Sequence, residues 1–375
     1  MIKTICLFFS NDVSFLTWKN SGILDREIKY YKSLIKKNYN IIFLTFGDKK
    51  DKQINFLLKK KIKVIPIYDK IKRPKNFLIR NLFNIFLPSI ILKNENFQII
   101  KSNQLSGGLS AMVTSIILKK KIFFRIGWEP NILYEVLKKN CFTKILYKSI
   151  SFLIYNFGTY FSVSSKEIKD FLLKKIIVNR KSKYIKIIEN YIDTNSFKNH
   201  KTKKYVKRVL LVSRLSKEKN ISFLIDALQG TDIRADIIGV GNEKSNLIRY
   251  AKEKNVYLKF LGKKNNNDLP KYFNSYYVYV ICSKNEGNVK SLLEAMSCQL
   301  ICVGTNVNGI RNIIKNNKTG LIINNPLELR KSLVKVFKNL KKFRFLGKIA
   351  RKRVLKFNSM EYFLKEELKI LKSIE

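Results

Sequence analysis

The sequence predicts an α/β protein made of two Rossmann-like domains, each built on a parallel sheet. Three observations carry that prediction. Short apolar runs alternate with amphipathic stretches through both halves of the chain, which is the grammar of βαβ units and of doubly wound parallel sheets. A polar, basic stretch without periodicity, residues 198–207, interrupts the alternation near the middle. The chain has 375 residues, more than a single core usually holds, so two domains of about 150 to 200 residues are expected.

In the first half, strands are expected at 3–9, 40–45, 63–67, 98–101, 122–125, 160–163 and 185–188. Helical patterns fall between them, as at 24–37, where Ile28, Tyr31, Leu34 and Ile35 recur at helical spacing. In the second half, strands are expected at 209–212, 235–238, 258–261, 278–282, 300–303 and 321–323. Helices separate them at 221–229, 244–253, 269–274, 289–298 and 310–315, and the tail from 326 is helical throughout. The implied division is a first domain over 1–197, a linker over 198–207, a second domain over 208–355, and a terminal helix over 356–375 that packs back toward the first domain. Two such sheets beside a linker make a cleft, and sheets of this kind bind ligands at the carboxyl ends of their strands.

Charge is the outlier of the composition. The chain holds 75 Lys+Arg against 27 Asp+Glu, a formal +48, yet only 14 of the basic residues are Arg and no segment monopolises them. A nucleic-acid binder would concentrate its charge and bring a recognisable module; none is visible, so nucleic acid is not expected as a partner. Such a cation is drawn to anionic lipid, at roughly 1 kcal/mol per well-placed basic residue. The five cysteines, Cys6, Cys141, Cys282, Cys298 and Cys302, lack CxxC spacing and read as reduced, buried thiols of a cytoplasmic protein. The apolar run at the N-terminus is too short for a signal peptide and reads as a first buried strand.

No segment offers about 20 uninterrupted apolar residues, so a spanning helix is not expected. Residues 77–92 and 145–163 come nearest. They read either as helices packed on a sheet or as an amphipathic patch that seats a cytoplasmic protein on the inner face of the plasma membrane.

The chemistry is stated around residues 283–296, Ser-Lys-Asn-Glu-Gly-Asn-Val-Lys-Ser-Leu-Leu-Glu-Ala-Met. It reads as a strand end, a turn at Gly287 and a helix start, where free amides and the positive end of a helix hold an anion such as a diphosphate. Eight residues on one helix would span about 12 Å, so Glu286 is placed in the loop and Glu294 on the helix. Past an earlier strand, Arg214 and Lys219 are two cations able to clasp a diphosphate. Gly239 and Gly241 end the next strand, where glycine lets backbone approach a ligand. Gly262 and the run Gly304–Gly309 close two further strands.

These residues together resemble the family-4 (group 1) glycosyltransferases of the GT-B fold, retaining enzymes that use nucleotide sugars. The likeness rests on Ser213-Arg-Leu with Lys219-Asn220, on Gly239-Val-Gly241 and Phe260-Leu-Gly262, on Glu286-Gly287 through Glu294-Ala-Met296, and on Thr319-Gly320-Leu321. It covers residues 185 to about 325, with Asn190-Tyr-Ile-Asp193 and Phe197 at the domain junction. The resemblance implies two domains facing a cleft, the first for the acceptor and the second for the nucleotide sugar. It implies that Arg214 and Lys219 neutralise the leaving diphosphate, that Glu286 binds donor-sugar hydroxyls, and that Glu294 binds the ribose. It further implies that the amides of Gly287, Asn288 and Val289 hold sugar and phosphate, and that Gly22 belongs to a glycine loop closing over diphosphate and acceptor.

No cofactor or metal is expected, only a donor such as a UDP- or GDP-sugar, because the chain has no Asp-X-Asp and a single histidine, His200. The expected acceptor is a glycan, lipid-linked, in synthesis of a surface polysaccharide such as O-antigen, capsule or lipopolysaccharide. The chain departs from the family pattern at Gln299 and Ile301, where Gly and Pro are common, and at Asn312, where Glu is common. A histidine frequent in the family's first domain has no counterpart, and Arg125 and Glu129 are the residues nearby that could contact acceptor or phosphate. Two alternatives stay open: a non-catalytic nucleotide-sugar-binding scaffold of the same fold, and a sugar-nucleotide epimerase.

Overall fold

The computed structural model describes residues 3–21, 23–57, 61–127, 129, 141–178, 183–200 and 202–374. It divides into two compact units: Met1–Ile188 together with Leu364–Glu375, and Glu189–Phe363.

Unit 1 begins with β1 (Lys3–Phe8), α1 (Phe15–Ser21), α2 (Leu24–Ile35), β2 (Tyr39–Asp48) and β3 (Ile62–Tyr68). It continues with α3 (Phe77–Ile91), β4 (Ile99–Ser102), α4 (Gly108–Ile117) and β5 (Lys121–Ile126). Then come α5 (Cys141–Phe157), β6 (Tyr160–Val163), α6 (Lys166–Phe171) and β7 (Tyr184–Ile187). The seven strands are ordered β3-β2-β1-β4-β5-β6-β7, and every neighbouring pair is parallel. Ile5 at the centre pairs with Ile41 on one side and Ile99 on the other. Central strands covered on both faces need apolar side chains at nearly every position, and β1 and β2 supply them in Ile5, Leu7, Ile41, Phe43 and Leu44.

Unit 2 runs β8 (Tyr205–Val212), α7 (Ile221–Leu228), β9 (Arg234–Ile238), α8 (Lys244–Glu253), β10 (Leu258–Gly262), α9 (Leu269–Asn274) and β11 (Tyr276–Ile281). It ends with α10 (Lys290–Ser297), β12 (Ile301–Thr305), α11 (Asn308–Arg311), β13 (Leu321–Ile323), α12 (Pro326–Lys338) and α13 (Leu340–Phe357). Its strands are ordered β10-β9-β8-β11-β12-β13, again all parallel. The last helix, α14 (Met360–Ile374), starts in unit 2 and finishes in unit 1. In each sheet the strand order reverses once, at β1/β4 and at β8/β11. Such a switch point opens a crevice at the carboxyl ends of the strands.

The division falls after Ile188, ahead of the boundary expected at 197. The reason is apolar: Ile192 and Phe197 are buried in the core of unit 2. Nor do residues 198–200 and 202–207 form a free linker. The Asn274 side chain donates to the Lys198 carbonyl at 2.9 Å and accepts from the His200 amide at 2.7 Å, and β8 already begins at Tyr205. The helix expected at 310–315 is instead the short α11, because Ile313 and Ile314 enter the core without continuing it. Neither α1 nor the 3-10 turns of Lys49–Leu57 was anticipated.

Candidate functional site

The sequence-predicted residues of the second half converge on the switch point of unit 2. The loop after β8 carries Arg214 and Lys219, and the loop after β11 carries Glu286 and leads into α10. Since β8 and β11 are neighbours, residues 67 apart in sequence meet. Lys219 Nζ donates to Glu286 Oε1 at 2.6 Å, and Ser283 Oγ donates to the same oxygen at 2.6 Å. The two loops are tied again by Lys284 N–H to the Glu218 carbonyl at 2.9 Å.

Local chemistry explains this geometry. Asn220 takes a left-handed φ of 51°, which asparagine tolerates better than most residues, and this turns the chain from the Lys217–Lys219 turn into α7. Gly309 lets the start of α11 press against the second loop: a Cβ there would stand 2.0 Å from the Gly287 carbonyl oxygen and 2.2 Å from that of Glu286. Thr305 Oγ1 at the end of β12 donates to the Ser283 carbonyl at 2.7 Å. The loop holding Glu286 is therefore braced from both sides.

Glu286 lies in the loop and Glu294 within α10, as expected. Glu294 is buried, and Asn266, from the loop after β10, donates to its Oε1 at 3.4 Å. Beside it, burial and then the Glu294 carboxylate push the Cys298 thiol up to about 12, so it stays protonated at neutral pH. No side chain caps the start of α10 at Val289, so its first amides face outward from a positive helix end. The Asn288 side chain is held by Asn190, whose amide donates to Asn288 Oδ1 at 3.3 Å.

Other candidates sit differently. The Arg214 side chain is 78% exposed and pairs with Glu218 at 3.5 Å on the surface of the same loop. Beside Gly241 the space is taken by protein: a Cβ would lie 2.1 Å from the Leu215 carbonyl oxygen, so strand-end packing already requires a glycine there. Gly22 lies outside the described residues. In unit 1, Arg125 is buried and donates to the Ile188 carbonyl at 2.7 Å, and Glu129 is buried and accepts from the Tyr155 hydroxyl. Both thus have partners inside the protein.

Two residues escaped the sequence reading. Asn266 could have been found, since the Asn265-Asn266-Asn267 run follows a strand-ending glycine. Tyr279 could not: it reads as one more apolar strand position. Its buried hydroxyl bridges the Val212 carbonyl at 3.4 Å and Ser291 Oγ at 2.9 Å, joining the end of β8 to α10, and burial pushes its pKa up, so it remains a neutral donor. Of the departures from the family pattern, Gln299 has a physical account. It adopts φ 63°, the left-handed region where glycine sits without strain. Among the described residues, no group of three or more His, Cys, Asp or Glu is arranged to hold a metal ion.

Residues 192–353 match the family model described as Glycosyl transferases group 1. An uncharacterized glycosyltransferase of Methanocaldococcus jannaschii is 24% identical over 152 residues, 40% of this chain and 43% of that protein. The chain therefore spans less than half the length of this relative. The Escherichia coli UDP-Gal:alpha-D-GlcNAc-diphosphoundecaprenol alpha-1,3-galactosyltransferase is 24% identical over 274 residues, 66% of this chain and 67% of that one. Among solved structures, Anabaena HepE in complex with UDP and glucose superposes with a TM-score of 0.76 over 100% of both chains, at 15% identity. Residues 192–353 are thus similar to the group 1 glycosyl transferases, and the two Rossmann-like units have the GT-B fold.

Proposed function

We propose that the protein is a retaining glycosyltransferase that moves a sugar from a nucleotide-diphosphate sugar to an acceptor hydroxyl without a metal ion. The observation that carries this reading is the Lys219–Glu286–Ser283 cluster, set at a switch point beside the uncapped start of α10 and the buried Glu294. An ammonium has three donors. Lys219 commits one to Glu286, which leaves two for a diphosphate. Both bonds to Glu286 fall on Oε1, which leaves Oε2 for a sugar hydroxyl. Glu294, next to Asn266, would take the ribose.

In the reaction the bond from the anomeric carbon to the diphosphate oxygen breaks, and a bond from that carbon to the acceptor oxygen forms on the same face. The acceptor proton passes to the departing phosphate. Negative charge grows on the diphosphate, so Lys219, Arg214 and the amides at residues 287–289 stabilise the transition state more than the ground state. The E. coli relative, named for a diphosphoundecaprenol substrate, supports a lipid-linked glycan of a surface polysaccharide as acceptor, with unit 1 binding it at an anionic membrane surface. HepE, solved with UDP and glucose, supports a UDP-sugar as donor.

Transfer and donor hydrolysis, assayed with a panel of UDP- and GDP-sugars, test the proposal. Lys219→Ala and Glu294→Ala should each lower turnover by about a hundredfold with the fold intact. Wild-type turnover in both variants would overturn the site. Donor binding without turnover across the panel would favour the scaffold reading.

A further inference from the structure

We infer that the outer face of α3, α4 and α5 in unit 1 docks on an anionic lipid bilayer. The three helices lie side by side, α3 against α4 and α4 against α5. The crossovers β3→β4, β4→β5 and β5→β6 all step the same way across the sheet, and right-handed crossovers then put their helices on one face.

Helix α3 turns most of its large apolar side chains to its surface. Toward the protein it buries Asn84, whose Oδ1 accepts from the Tyr68 hydroxyl at 2.6 Å and whose carbonyl accepts from Ser110 Oγ at 2.7 Å. Those bonds fix the helix's rotation. Outward it presents Leu78, Ile79, Leu82, Phe86 and Ile90, with Leu78 71% and Ile90 70% exposed. The neighbouring helices also expose apolar side chains: Ile116 and Ile117 at the end of α4, and Phe152, Leu153 and Phe157 on α5. Large exposed apolar side chains gathered on neighbouring helices mark a site of interaction.

Charge selects the occupant. None of the three helices contains an Asp or Glu. Exposed lysines rim the face instead: Lys70, Lys72 and Lys75 ahead of α3, Lys119 after α4, and Lys148 on α5. Protein interfaces are depleted of lysine, whereas apolar insertion within a lysine rim suits a surface of acyl chains and anionic headgroups. Among the described residues no helix is long and apolar enough to cross a membrane, so the face lies on the bilayer. It gives the lipid-linked acceptor its surface, and it rests on that reading only for the acceptor's identity.

The test is co-sedimentation of the full chain with phosphatidylcholine vesicles, with and without phosphatidylglycerol, at low salt and at 1 M salt, where screening acts within about 3 Å. The wild type should stay partly bound to the anionic vesicles at 1 M salt. Leu78→Asn/Phe86→Asn keeps the charge and changes only exposed positions, so it should keep the wild-type melting curve and lose about tenfold or more in high-salt partitioning. Lys70→Gln/Lys72→Gln/Lys75→Gln should weaken binding at low salt only. Complete release of the wild type at 1 M salt, or high-salt binding unchanged in the double variant, would overturn the docking face. So would a wild-type dimer in solution that the double variant splits, since a second copy would then cover it. Nucleotide-sugar binding, measured on the same samples, reports unit 2 separately: docking lost with binding kept sinks this inference alone.

Discussion

Helices α3 and α8 cover sheets of the same architecture and turn opposite faces to water. Helix α8 buries Leu247 and Ala251 and turns out Lys252 and Glu253, the ordinary arrangement. Helix α3 buries Asn84 and Ser89 beside Leu87 and Pro88, and turns out Leu78, Leu82 and Phe86. The difference teaches where each unit keeps its unusual chemistry. Unit 2 concentrates it at strand ends, where loops from β8 and β11 bring Lys219 to Glu286. Unit 1 buries polar groups beneath α3 and keeps the outer side of that helix apolar.

The inward polar groups of unit 1 offer the largest test of that contrast. Lys101 on β4 and Glu367 on α14 form a fully buried ion pair at 2.5 Å, with the Tyr30 hydroxyl on the same carboxylate. Burial lowers the Lys101 pKa, opposed by the attraction of Glu367. Removing one partner of a buried pair strands the other charge and costs about 3–5 kcal/mol. Glu367→Ala should therefore lower the melting of unit 1 and release the end of α14, while the nucleotide-dependent thermal shift of unit 2 persists. Lys101→Met/Glu367→Leu should recover most of the loss. Loss of nucleotide binding in Glu367→Ala would mean that the two units do not keep their stability apart.

In unit 2 the corresponding test is at Gly309, where the loop that holds Glu286 leaves no room for a Cβ. Gly309→Ala forces a Cβ onto the carbonyls of Gly287 and Glu286, and overpacking of that kind costs about 1–3 kcal/mol. The loop must shift, so donor affinity should fall about tenfold, as 1.4 kcal/mol implies. Gly230→Ala is the control. Gly230 has φ +71° and nothing within 4 Å of its Cβ position, so the variant carries backbone strain of about 1–2 kcal/mol with donor affinity unchanged. Equal affinity in the two variants, by calorimetry, would show that bracing of the Glu286 loop does not matter to the site.

Most of the elements were legible in the sequence, because buried parallel strands are short apolar runs separated by amphipathic helices. The strand predicted at 160–163 is β6, and the helix predicted at 244–253 is α8. The Lys219–Glu286 pair was legible only as two motifs at strand ends. Their contact depends on β8 and β11 being neighbours, which no local pattern states. Tyr279 was illegible because a strand tyrosine with a buried hydroxyl looks like core until its partners, Val212 and Ser291, are seen. Residues 198–207 misled for the opposite reason: a single distant side chain, Asn274, ties down a segment whose own composition predicts a linker. The apolar face of α3 was visible as composition, but its direction was not. That direction follows from which side Asn84 takes.

The smallest effect concerns the joint between β7 and α14, again inside unit 1. Glu366 accepts from Lys186 Nζ at 2.5 Å and from Lys369 Nζ at 2.7 Å. Partial burial raises its pKa, but the two ammonium groups outweigh burial and hold the carboxyl below its ordinary 4.5. A carboxylate depressed in the folded state contributes stability that is fully present above the unfolded value and lost as pH falls through the folded one. At pH 7, Glu366→Gln should therefore melt below the wild type by an amount corresponding to about 1 kcal/mol or less, as expected for ion pairs near the surface. The gap should close as the pH is taken below 4.5, because the wild-type carboxylate becomes protonated and resembles the amide. A gap that stays constant from pH 7 to pH 3 would assign the loss to altered packing of α14 on unit 1, and a gap that widens would reverse the sign of the linkage.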